Sequence, residues 1–268
     1  MSNFFKTVSA LVSVFITTIS LAQAPAEPAA CCDKTFKIDW TATTSLYDLD
    51  AGNIFVIDNR FSTKLADVFT VGVGVPIINN DNQATDGGLS WQLNNGGPEF
   101  SGTGFSDIDM FVAFDLWNGK CSFFDADSQV DLFGGIKAPV DGNFSSSDAV
   151  FYIGAIGEIT KEKWKLSQSI KYDFVDEYTF NPVFGGFVTG DIFELDTKVL
   201  YSVNKDMGLG VRVDQQYTDG SNVFLLGPTV AAKWQSFDIN LSLGFPVVED
   251  IPYDELGTVL QFGFTHTF

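Results

Sequence analysis

Few residues in this sequence have the chemistry of a reaction centre. His266 is its one histidine and lies close to the C-terminal Phe268. Serine hydrolases need a histidine base within hydrogen-bond reach of the nucleophile. His266 falls on the apolar phase of the last alternating segment, and no Gly-x-Ser-x-Gly elbow occurs anywhere. Two acid pairs, Glu194 with Asp196 and Asp107 with Asp109, have the composition of an acid/base dyad. At this spacing on a strand they are also successive positions on one polar wall, which is the preferred reading. The cysteines are Cys31, Cys32 and Cys121, with no CxxC and no Cys/His cluster, so neither a zinc site nor any other cofactor is expected. The chain does not read as an enzyme.

The charged residues inside alternating segments are more informative. Lys163, Lys165, Lys171 and Asp173 alternate with Trp164, Leu166, Ile170, Tyr172 and Phe174. Glu194, Asp196 and Lys198 recur in a second segment, Arg212 and Asp214 in a third, and Asp238 in a fourth. A period of two places such charges on one face of a strand and the apolar residues on the other. If the sheet closes on itself, these ten residues line its lumen. Opposed charges across a narrow, water-filled lumen set up a transverse field that orients polar solutes. The competing reading is that they pair with one another and fill the interior.

The elements that must position them are about twelve alternating segments of barrel-strand length, near 35–47, 54–64, 67–76, 106–117, 121–137, 148–160, 163–175, 191–203, 207–217, 223–235, 236–246 and 256–268. Short connections near 64–67, 117–121, 160–163, 203–207 and 235–236 alternate with longer ones near 48–53, 77–105, 138–147, 176–190, 218–222 and 247–255. The longer set contains many acids and no Lys or Arg, whereas Lys34, Lys120, Lys161 and Lys205 sit at the opposite end. Short periplasmic turns and longer outer loops are the pattern of outer-membrane barrels. The predicted class is all-β, a closed antiparallel transmembrane barrel over 35–268. Ahead of it, residues 1–22 read as a cleaved signal peptide: Lys6, an apolar run from Val8 to Leu21, then Ala22. Residues 23–34 read as a periplasmic arm. Net charge is −19 from 15 basic and 34 acidic residues, which excludes nucleic acid as a partner. An exported β-sandwich that binds a ligand would show the same alternation, since one face packs and one is wet.

Two motifs favour the barrel. Leu260-Gln261-Phe262-Gly263-Phe264-Thr265-His266-Thr267-Phe268 alternates back from a terminal phenylalanine. It resembles the C-terminal signal, here Phe262, Phe264 and Phe268, by which barrel-assembly machinery recognises outer-membrane proteins. Gly102-x-Gly104-x-x-Asp107-Ile108 opens one segment, and Gly134-Gly135-Ile136-Lys137-Ala138-Pro139 closes the next. Together they resemble the outer-membrane channel family named for the meta-pathway of phenol degradation, also called transporter-like. Where that family continues Thr-Gly, this chain has Val140-Asp141-Gly142. The resemblance implies a channel that passes small solutes, small aromatic or hydrophobic compounds among them. The alternatives are a non-conducting structural or adhesive barrel and the soluble sandwich. The expected surroundings are outer-membrane lipid and lipopolysaccharide, with divalent ions bridging an acidic rim as one use of the charge. A disulfide from Cys31 or Cys32 to Cys121 would tie the arm to the rim.

Overall fold

The computed structural model describes residues 37–49, 52–65, 68–80, 102–122, 125–142, 144–250 and 256–268. The wall is built from β1 (Ile38–Leu49), β2 (Gly52–Leu65), β3 (Phe69–Asn80), β4 (Gly102–Phe105), β5 (Ile108–Cys121), β6 (Ala126–Ala138), β7 (Val150–Lys161), β8 (Trp164–Phe174), β11 (Ile192–Asn204), β12 (Met207–Thr218), β13 (Ser221–Trp234), β14 (Phe237–Asp250) and β15 (Leu256–Thr267). Neighbours in sequence pair antiparallel all the way round. β15 returns to pair with β1, from Asp39 opposite Thr267 to Leu46 opposite Leu260. β4 and β5 share one position in the wall, both paired to β3. The result is a closed barrel of twelve strand positions, so every long strand has a neighbour on each side and no long edge is bare.

Alternation explains the closure. On β5, Met110, Val112, Phe114 and Leu116 all stand on the exposed outer face. The intervening Asp109, Phe111 and Ala113 border the interior. The same outward rows recur as Phe151 and Ile153 on β7, Leu209 and Val211 on β12, and Leu241 and Phe245 on β14. A folded chain tolerates so many exposed large apolar side chains when lipid, not water, meets them. Aromatic pairs gather at the end with the short turns: Trp40 against Phe264 and Trp164 against Tyr201, each at 5.0 Å, and His266 against Phe237 at 4.7 Å. That is the position of an interfacial girdle.

The strands match the predicted segments closely, and the differences fall at the connections; β3 runs on to Asn80, β4 occupies Gly102–Phe105, and β14 runs on to Asp250, into the connections expected at 77–105 and 247–255. The turn expected at 117–121 lies instead at 122–125, between β5 and β6, so the unusually long fifth segment resolves into an ordinary strand. The outer connections near 48–53 and 218–222 shrink to residues 50–51 and 219–220, because the flanking strands continue into them. The 176–190 connection carries structure of its own: a small hairpin of β9 (Thr179–Asn181) and β10 (Gly186–Val188) around a 3-10 turn at Pro182–Phe184. Asn181 caps that turn by accepting from the Val183 amide at 2.9 Å, and Gly185 closes it at φ 76°, a left-handed conformation that favours glycine. The 1–22 leader, the 23–34 arm and most of the 77–105 connection lie outside the described residues.

Candidate functional site

The long-connection end of the barrel is filled. Phe144 from the β6–β7 connection and Phe180, Val183, Phe184 and Phe187 from the β9–β10 hairpin are all buried. They pack against inward apolar side chains at the ends of five strands: Tyr47 and Leu49, Ile54, Ile78, Val223 and Leu225, Leu256 and Val259. Phe180 meets Phe144 at 5.0 Å and Phe187 at 5.4 Å, both edge to face. This apolar cork sits in the barrel mouth. Each buried phenylalanine contributes about 1.5–3 kcal/mol of transfer free energy.

Polar contacts moor the cork. Asp107, buried in the break between β4 and β5, accepts from Ser145 Oγ at 2.7 Å, from the Ser146 amide at 2.9 Å and from Ser146 Oγ. Ser146 Oγ also reaches Thr179 Oγ1 at 2.8 Å, which joins the two loops. Asn181 Nδ2 donates to Gln216 Oε1 on β12 at 3.0 Å. Asp107 and Asp109 are therefore not successive positions of one lumen wall, as the sequence had suggested. The strand run is interrupted at Ser106 and Asp107, so Asp107 holds the serine loop while Asp109, on β5, faces inward.

Beneath the cork lies a cavity of about 410 Å³. A belt of charge runs round it. On β2, Arg60 Nε lies 2.8 Å from Asp58 and Arg60 Nη2 lies 3.4 Å from Asp109, and Asp109 accepts from the Tyr152 hydroxyl at 2.6 Å. Next round the wall, fully buried Asp173 accepts from Lys137 Nζ at 2.6 Å, with Lys171 Nζ at 3.3 Å. Lys171 also reaches Glu194 at 2.8 Å. Arg212 Nη2 bridges Asp196 at 2.7 Å and Asp214 at 3.1 Å, and Lys198 approaches Asp196 at 3.8 Å. From β13 round to β1 the wall at the level of the cavity is uncharged, with Tyr47 and Gln261 lining it, Thr229 bonded to Ser242 at 2.7 Å and Thr41 to Thr265 at 3.0 Å.

Aromatic rings share the charged arc. Phe111 stands opposite Gly72 on the adjacent strand, and Phe133 opposite Gly154. A Cβ on either glycine would sit 2.3 Å from the ring's Cζ, so the rings lie across the neighbouring strand and need glycine there. Arg60 rests over Phe111 at 5.9 Å and Lys171 over Tyr152 at 5.7 Å.

Of the ten residues singled out in sequence, seven come together: Lys171, Asp173, Glu194, Asp196, Lys198, Arg212 and Asp214. The other three stand apart. Lys165 pairs with Glu158 at 2.9 Å nearer the short-turn end. Asp238 is exposed at the start of β14, cross-strand from Lys233. Lys163 belongs to the β7–β8 turn, with its ammonium 5.7 Å from the ring of outward-facing Tyr201. Sequence reasoning overlooked Arg60, Asp58 and the aromatic lining. Arg60 shares the inward phase of β2, but the apolar Ile54 and Val56 on that same face hide the alternation. Among the C-terminal residues, Phe262 and Phe264 lie on the outer face, and the Phe268 amide donates to Ile38 O at 2.9 Å. Cys121 is buried at the end of β5, while Cys31 and Cys32 lie outside the described residues.

The closed twelve-position barrel has the fold of solved outer-membrane β-barrels. An outer membrane channel from Pseudomonas putida F1 superposes with a TM-score of 0.57 at 11% identity, over 92% of this chain and 100% of that one. The NanC porin superposes with a TM-score of 0.53 at 9% identity, over 85% of this chain and 98% of that one. No protein-family model matches the sequence, and no curated protein matches it.

Proposed function

We propose that this chain is an outer-membrane channel through which small solutes cross, allied to the transporter-like family that its Gly102–Asp107 and Gly134–Pro139 motifs resemble. The observation that carries the reading is the polar cavity enclosed by a wall whose outside suits lipid. A barrel that only anchored or adhered would have no use for a charged, roomy interior, since small barrels are readily filled by side chains. The long connections then face the cell exterior and the short turns the periplasm. Passage requires the cork to shift, because its rings occupy the mouth above the cavity. The loops that hold it are joined to the wall by a handful of hydrogen bonds, so their displacement leaves the strand ladder intact.

The test is planar-bilayer conductance of the folded, heat-modifiable protein, beside a variant in which residues 176–190 are replaced by a short Gly/Ser linker. Discrete current steps that grow in the variant support the channel. A folded barrel silent in both forms overturns it, and the cork then belongs to a closed structural barrel.

A further inference from the structure

Resting on the channel reading, the cavity also points to a class of solute. We infer that it holds a zwitterion of amino-acid size, one carrying an ammonium and a carboxylate together on an apolar body. The lining contains four cations, Arg60, Lys137, Lys171 and Arg212, and four acids, Asp109, Glu194, Asp196 and Asp214. With Asp58, Asp173 and Lys198, which pair with lining residues, the belt holds five cations and six acids and is close to balance. The signs are also interleaved: Arg212 lies between Asp196 and Asp214, and Lys171 between Glu194 and Asp173.

Interleaving decides what can bind. A lone anion that approaches Arg212 meets two carboxylates within the same few ångströms, and a lone cation that approaches Asp196 meets Arg212 and Lys198. Either must pull one partner from its neighbour and leave the other charge uncompensated in a confined space, which is the costly case. A zwitterion brings both signs. It inserts into a pair and exchanges one charge-assisted contact for two. The Arg212–Asp196 pair has unused bonding capacity for this: Arg212 Nε and Asp196 Oδ1 are buried at the cavity wall and have no hydrogen-bond partner among the described residues. For the body of the solute, Phe111 and Phe133 supply apolar surface in the same cavity. At about 410 Å³ the space falls within the range of small-molecule sites. A neutral hydrocarbon would gain from the rings but would leave the charged belt desolvated and unmatched.

The deciding measurement is calorimetric titration of the folded barrel in detergent with three molecules of one shape: L-phenylalanine, 3-phenylpropionate and 2-phenylethylamine. L-Phenylalanine is expected to bind at least tenfold more tightly than either singly charged analogue. The double variant R212Q/D214N, checked for heat modifiability, is expected to lose that preference. Equal or tighter binding of a singly charged analogue by the wild-type protein overturns the inference, as does failure of all three to bind. Because the ranking is read on wild-type protein, it stands even if the variant does not fold. Bilayer current on the same preparation separates the two readings. Current without zwitterion preference keeps the channel and discards the solute class, whereas L-phenylalanine binding without current keeps the site and discards the channel.

Discussion

The cork and the charge belt fill the same barrel by opposite means. The cork is made of side chains from inserted loops, and its cohesion comes from removing apolar surface from water. The belt belongs to the strands themselves, and its order comes from mutual ion pairs in a confined space. On the proposed channel reading a cork of this kind moves as a unit, because its polar moorings, at Asp107, Asn181 and Thr218, are few. A belt cannot leave. It can only exchange partners. On that reading the loops gate and the wall selects.

That assignment can be broken by experiment. The largest effect is expected from the 176–190 linker replacement, which should raise single-channel conductance roughly tenfold by unstopping the lumen while the wall persists. Measured ion selectivity should stay with the belt and hardly change. Next comes Asp173→Ala, which leaves Lys137 and Lys171 facing each other without their shared carboxylate. Urea unfolding in micelles should show a loss of about 3–5 kcal/mol, characteristic of a broken buried pair. Phe184→Ala should cost about 3 kcal/mol locally through the cavity it leaves. Its signature is a higher open probability with little change in the amplitude of the open state. If the amplitude changes instead, the cork is part of the conduction path and not its gate. Gly154→Ala is expected to cost about 1–3 kcal/mol, because its methyl meets both the Phe133 ring and the Ile170 carbonyl oxygen of the next strand. Lys163→Ala should change stability by less than about 0.5 kcal/mol and leave selectivity as it was, since the side chain sits in a turn outside the lumen.

The two regions also differ in how far they could be read from sequence. The belt was largely legible. Lys171 and Asp173, Glu194 and Asp196, and Arg212 and Asp214 alternate with lipid-facing residues, and a period of two is enough to put them inside. The cork was not. Phe180, Val183, Phe184 and Phe187 follow no strand period, and neighbouring acids such as Asp176 and Glu177 gave the loop the look of a solvated rim. Its apolar density was the overlooked signal, since an exposed loop has no reason to carry it. The cork also blurred the strands beneath it. Ile54, Ile78, Val223 and Leu225 face inward, yet they are apolar because they meet the cork, so both faces of those strand ends are hydrophobic. Alternation fades there, and the outer connections were drawn too long for the same reason. Asp107 was misplaced because nothing in a strand's period announces a break in the ladder.

The seam between β1 and β15 bears on how the molecule is made. Thr267 Oγ1 donates to Asp39 at 2.5 Å, across a sequence separation of 228. Pairing of such range is slow, since a long chain must be brought together before any contact rewards it. Until β15 arrives, β1 and β14 are bare edges flanked by lipid-seeking side chains, which is the combination that draws chains into aggregates. The β1–β15 pairing is thus the contact that closes the wall and leaves neither edge bare.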